Sequence, residues 1–179
     1  MSTRALAFVC LLAAATTTLA APPRTSPEYE VKAAFIYNFA KFVEWPRGSQ
    51  ADEPFVVTVL GADPFGRALE DALRDKTVGG RPIVLRRATT LDELGASQIV
   101  FISGSEEPGL ASILKRLEAD PVLTVGDTGQ FAAHGGIIGF RLEGERVRLD
   151  ISLAAAERSR LRLSSQLLRI ARIVDTGER

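Results

Sequence analysis

The sequence predicts a single α/β domain: a mostly parallel open sheet flanked by helices, with an antiparallel C-terminal hairpin at its edge and an aromatic-rich helix ahead of it. Three observations carry this. Apolar, β-rich runs with little alternation recur at 55–60, 97–103 and 121–125, as expected of central parallel strands covered on both faces. Amphipathic helical stretches separate them, which favours right-handed crossovers. From residue 137 onward the pattern changes to alternating apolar and charged positions around Glu143-Gly144-Glu145-Arg146, the turn chemistry of a hairpin.

The chain has 179 residues, enough for one domain, and its 22 basic and 22 acidic side chains leave no cationic excess for a phosphate backbone. Nucleic acid is therefore not an expected partner. Arg4, an apolar run over 5–15 and small residues at Thr18-Leu19-Ala20-Ala21 read as a cleaved secretory signal peptide over 1–21. That run is shorter than the ~20 residues a membrane span needs. A periplasmic location follows as an expectation. Cys10, the single cysteine, falls inside the leader, so the mature chain is expected to lack disulfides, thiolate metal sites and a cysteine nucleophile.

Residues 22–26 read as a disordered lead, the domain as 27–174, and 175–179 as a frayed tail. Ser26 and Pro27 fit an N-cap followed by the first helical position, with Glu28 and Glu30 at the positive end of the dipole. Trp45-Pro46 is expected to end this first helix. At about 100° per residue, Glu30, Asn38, Lys41 and Glu44 share a narrow polar strip, and the apolar arc opposite spans roughly 180°, wider than the ~100° that one packing surface requires. The helix should therefore make two contacts, one of them the domain's own sheet through Phe35, Phe39 and Phe42. Candidates for the second, a partner or a homodimer interface, are Tyr29, Lys32, Ile36, Tyr37, Val43 and Trp45. Lys32 lies inside the apolar arc, so it must run its stem to water or pair with an acid such as Glu28 one turn back.

After the strand at 55–60, Asp63 and Pro64 should open a helix through about residue 74. Gly79-Gly80 marks a turn before a strand over 82–87, and Thr90-x-x-Glu93 is a capping box. A helix over 108–118 presents Leu110, Ile113, Leu114 and Leu117 on one face. Gly126-Asp127 leads into a turn or short helix near 130–133. Ser152 should start a helix, and Ser164 should cap a last one bearing Leu167, Leu168, Ile170, Ala171 and Val174.

Catalytic chemistry is sparse. His134 is the only histidine, no P-loop, HExxH, CxxC or GxGxxG occurs, and neither a cofactor, a metal nor an enzymatic reaction is expected. Ligands of open α/β sheets bind beyond the carboxyl ends of the strands. Those loops carry Asp63, Ser103, Ser105, Asp127 and Thr128, which could hold a small polar ligand or serve only as turns. Arg141, Arg146, Arg148, Arg158, Arg160, Arg162, Arg169 and Arg172 outline a basic C-terminal surface, suited to an acidic partner or anionic lipid, or else simply solvated.

The segments YEVKAAFIYNFAKFVEWP, FVVTVLGADPFG, VGGRPIVLRR, IVFIS, VLTVGDTGQFAAHGGIIGF and LRLSSQLLRIAR together resemble the YfiR-like family of periplasmic proteins. The resemblance implies a non-enzymatic repressor that binds an inner-membrane diguanylate cyclase, or another sensor protein, and so modulates cyclic di-GMP and biofilm formation. It also implies release by an outer-membrane lipoprotein. The family's namesake carries disulfides in its mature chain and this sequence does not, so redox control is not implied here. A periplasmic small-ligand sensor using the strand-end loops is the alternative reading.

Overall fold

The computed structural model describes residues 26–46 and 53–175. The expected signal peptide lies outside the described residues, as do the expected lead and tail apart from Ser26 and Asp175.

The chain runs α1 (Pro27–Phe42), β1 (Val43–Glu44), β2 (Phe55–Leu60), α2 (Ala68–Leu73), β3 (Thr77–Val78), β4 (Arg81–Ala88), β5 (Ile99–Ile102), α3 (Leu110–Leu117), β6 (Leu123–Gly126), β7 (Ile138–Glu143), β8 (Arg146–Ile151), α4 (Leu153–Arg158), β9 (Arg162–Leu163), α5 (Ser165–Leu168) and β10 (Ala171–Ile173). Eight strands form one sheet in the order β10-β8-β7-β6-β5-β2-β4-β3, and β1 pairs antiparallel with β9 in a separate ribbon. The central run from β4 to β7 is parallel, while β7–β8 is the expected antiparallel hairpin, in register from Ile138 opposite Ile151 to Glu143 opposite Arg146. The α/β class read from the sequence is the class observed.

Apolar side chains on both faces produce two cores. The larger, on the α1 side, holds Ile36 and Phe39 from the helix with Val57, Phe101, Val125 and Ile151 from the strands. The smaller holds Ile113, Leu114 and Leu117 of α3 against Val100 and Ile102. Every residue of β2 is buried, which explains why its run is apolar apart from Thr58, whose hydroxyl is satisfied by Ser97. The wide apolar arc of α1 is covered within the chain except at Val31, since the helix touches α2, β8 and α5 as well as the sheet core.

Three elements differ from the sequence reading, each for a local reason. The first helix stops at Phe42 because β-branched Val43 turns extended (φ −108°, ψ 138°) to pair with Leu163. The helix expected from Pro64 begins only at Ala68: Asp63 accepts from the Phe65 N–H, and Gly66 takes a left-handed φ of 55°. Residues 130–133 take the first of the two forms expected there, hydrogen-bonded turns, with Gln130 at φ 58°. The last helix ends at Leu168, and the chain becomes strand β10, parallel to β8. β10 therefore lies outside the hairpin and forms that end of the sheet. At the hairpin's turn end Leu142 is half exposed, because α1 covers only the inner half of this pair.

Candidate functional site

Lys32 lies on the core face of α1, and its side chain is 4% exposed. A buried ammonium must be paired and hydrogen-bonded to survive away from water. It is held by Glu28 one turn back and, at 2.7 Å, by Oδ2 of Asp127, which follows β6. The same Oδ2 accepts from the Tyr29 hydroxyl at 2.9 Å. The ammonium also sits 4.3 Å from the centre of the Tyr29 ring and 5.8 Å from that of Phe140. Tyr29 packs edge-on to Phe65, and Phe65 to Phe101, so the network is anchored in the main core. Burial pushes the Tyr29 phenol well above the usual tyrosine range, and donation to the Asp127 carboxylate raises it further.

A cavity of about 260 Å³ opens beside this network, lined by Lys32, Asp127, Thr128, Phe140, Arg141 and Arg172 among others. The Thr128 hydroxyl is buried and has no hydrogen-bond partner among the described residues. On the far side, Asp150 accepts from Arg172 Nε at 3.0 Å and pairs with Arg141 at 3.5 Å. The cavity wall therefore carries cations and carboxylates that are already matched.

The structure separates the sequence-predicted residues into groups. Lys32, Ile36 and Val43 are buried within the chain. Tyr29, Tyr37 and Trp45 are half-buried: Tyr37 lies beneath Lys41 and Lys76, while Trp45 donates to the Gln98 carbonyl and meets Phe55 edge-on. Asp127 and Thr128 line the cavity. Asp63 pairs with Arg87 at 2.7 Å. Ser103 is buried, and the Ser105 hydroxyl accepts from the Ala62 N–H, so the loops after β2 and β5 close on each other. A Cβ on Gly61 would lie 2.4 Å from that hydroxyl.

The basic C-terminal surface is largely discharged. Arg141 and Arg172 serve Asp150, Arg148 serves Glu143, Arg158 serves Glu118, and Arg160 donates to the Ala119 carbonyl. Sequence reasoning missed Asp127 as the partner of Lys32 and missed the Asp150 cluster. The charge inside the α1 apolar arc signalled that a partner existed, but a residue 95 positions away cannot be identified by helical spacing.

Among the described residues no group of three or more histidine, cysteine, aspartate or glutamate side chains is placed to hold a metal, and no helix is long and apolar enough to cross a membrane. No curated protein matches the chain. A family model described as YfiR/HmsC-like matches residues 29–172, from the first turn of α1 into β10.

Proposed function

From the premise that this chain belongs to the YfiR/HmsC-like family, we propose that it is a non-enzymatic periplasmic regulator. In this reading it binds and represses an inner-membrane signalling protein, a diguanylate cyclase, and so lowers cyclic di-GMP output and biofilm formation. An outer-membrane lipoprotein would relieve the repression by sequestering it. The observation that carries the reading is the family match, which spans nearly all of the described domain.

A regulator of this kind acts by binding two states of its receptor unequally. The surface proposed for that contact is the outward side of α1. There Glu30, Val31, Ala34 and Lys41 are exposed, and Tyr37 and Trp45 border them. Deleting the gene should raise cyclic di-GMP and biofilm formation, and the wild-type gene should reverse both. Unchanged output in the deletion strain, together with no co-purification of a membrane cyclase, would remove the reading.

The cavity beside Asp127 supports a second reading, a sensor of a small polar ligand. Its support is the buried, unpartnered Thr128 hydroxyl in a loop at the carboxyl end of β6. A thermal-shift screen against periplasmic metabolites tests it. Stabilisation that disappears in Thr128→Val is expected, and a screen without stabilising compounds counts against it.

A further inference from the structure

The sheet leaves a gap at the carboxyl end of β6. That strand pairs with β7 only at Val125 with Ile138 and Gly126 with Gly139, then turns away at Asp127, while β7 runs on to Glu143. Ser152 N–H donates to the Ile137 carbonyl, so Ile137, Gly139 and Arg141 bond toward β8. Leu142 therefore turns its N–H and C=O to the side that β6 has left, where no described strand meets them. The cavity beside Asp127 occupies this gap, and Phe140 and Leu142 give it an apolar side.

The lining decides the kind of ligand. Carboxylates on Glu28, Asp127 and Asp150 stand against cations on Lys32, Arg141 and Arg172, so the wall carries no net charge. A ligand with a net charge would leave water without a compensating charge to meet it. Hydrogen-bonding capacity nevertheless remains. Lys32 and Tyr29 both use Oδ2 of Asp127, which leaves Oδ1 as an acceptor. Arg141 reaches Glu143 through Nη1 at 3.6 Å and Asp150 through Nε at 3.5 Å, which leaves Nη2 to donate. Thr128 is 7% exposed and its hydroxyl has no described partner. Its methyl faces the loop after β5, where a Cβ added to Gly104 would lie 4.0 Å away.

We propose that this cavity holds a neutral monosaccharide. The proposal rests on the small-ligand reading above and gives that reading a chemical class. Each hydroxyl of a sugar ring both donates and accepts. A free carboxylate oxygen, a guanidinium N–H and the Thr128 hydroxyl can then all be satisfied by one molecule, while its C–H groups lie against Phe140 and Leu142. Hydrogen bonds to ionised groups are the stronger kind, and here each ionised group is already neutralised by a neighbour, so the ligand need bring no charge. At about 260 Å³ the space is smaller than the ~300–1,000 Å³ of drug-sized sites, which suits a single sugar ring.

The mature chain is titrated calorimetrically with D-glucose, D-galactose and D-mannose. The matching uronates are titrated alongside, as are the 2-amino sugars at about pH 6, where their amines are cationic. One neutral sugar should bind with a Kd of ~1 mM or below, and its two charged counterparts at least about tenfold more weakly. Thr128→Val should weaken the neutral sugar at least about tenfold while the protein stays folded, since it removes only a hydroxyl that has no partner. Arg141→Gln leaves the wall with a net negative charge, and should narrow or reverse the preference for the neutral sugar over its 2-amino counterpart. Absence of neutral-sugar binding, a charged counterpart that binds as tightly, or unchanged binding in Thr128→Val would each overturn the proposal. If the metabolite screen then yields a Thr128-dependent ligand of another class, only the sugar is excluded. If that screen is empty as well, the small-ligand reading falls with it.

Discussion

An ammonium group removed from water survives only with counter-charges around it, and for Lys32 these come from both near and far in the chain. Glu28 is local, whereas Asp127 arrives through the fold, so the pair fastens the start of α1 to the end of β6. Removing the lysine alone strands two carboxylates, and one of them has a side chain only 10% exposed. Lys32→Met should therefore lower unfolding free energy by about 3–5 kcal/mol, and Lys32→Met with Asp127→Asn by less, in urea titrations. Equal losses would mean that the ion pair is not what holds α1. Tyr29 adds a pH signature. Its phenol titrates higher in the folded state than the unfolded value near 10, so the folded state binds that proton more tightly. Its contribution is complete below pH ~10 and is lost as pH rises from there toward the folded value. Tyr29→Phe should remove that part of the alkaline decline, so parallel wild-type and variant stability curves above pH ~10 would refute the assignment. The lysine's position in an apolar arc was legible from helical spacing. Its tertiary partner was not.

At the scale of elements, the loop from β6 to β7 shows why local signals were read incompletely. Phe131 sits between two glycines: a Cβ on Gly126 would come within 2.4 Å of its ring and one on Gly136 within 2.1 Å. Neither glycine has a left-handed φ, so the need is for space and not for turn geometry. The ring fills the smaller core between α3 and the strands. Gly136→Ala should destabilise by about 1–3 kcal/mol through overpacking. Adding Phe131→Leu should recover part of that loss, which a double-mutant cycle measures as a coupling. Additive effects would show that the ring does not set the glycine requirement. In the sequence, Gly135-Gly136 announced only a turn, because the aromatic ring that demands the space becomes a neighbour only in the fold. The C-terminal element failed differently. Leu167, Leu168, Ile170, Ala171 and Val174 suit a helical face, yet Arg172 finds Asp150 only if the chain is extended beside β8. Tertiary pairing overrides a weak helical pattern there, just as β9 draws Val43 out of α1.

For the whole molecule, the α/β layout was legible because strands buried on both faces leave mostly apolar runs without polar alternation in β2, β5 and β6. The identity of an interaction surface leaves no comparable signature. The apolar arc of α1 that suggested a second partner is mostly satisfied by α2 and α5. If the protein represses a receptor, moving that receptor from 99:1 active to 1:99 needs roughly 10⁴-fold preference for the silent state, about 5.5 kcal/mol. A single docking helix can carry a large part of that through a few side chains, so one charge on its outer face should be decisive. Val31 is 45% exposed and Ile36 wholly buried on the same helix. Val31→Asp should keep the wild-type urea midpoint, since such surface changes stay within about 0.5 kcal/mol, and yet release the cyclase and raise cyclic di-GMP. Ile36→Asp should instead fail to fold, because an unpaired carboxylate would enter the main core. If Val31→Asp represses as well as wild type while remaining folded, the receptor does not read this side of α1, and docking must be sought on another surface of the domain.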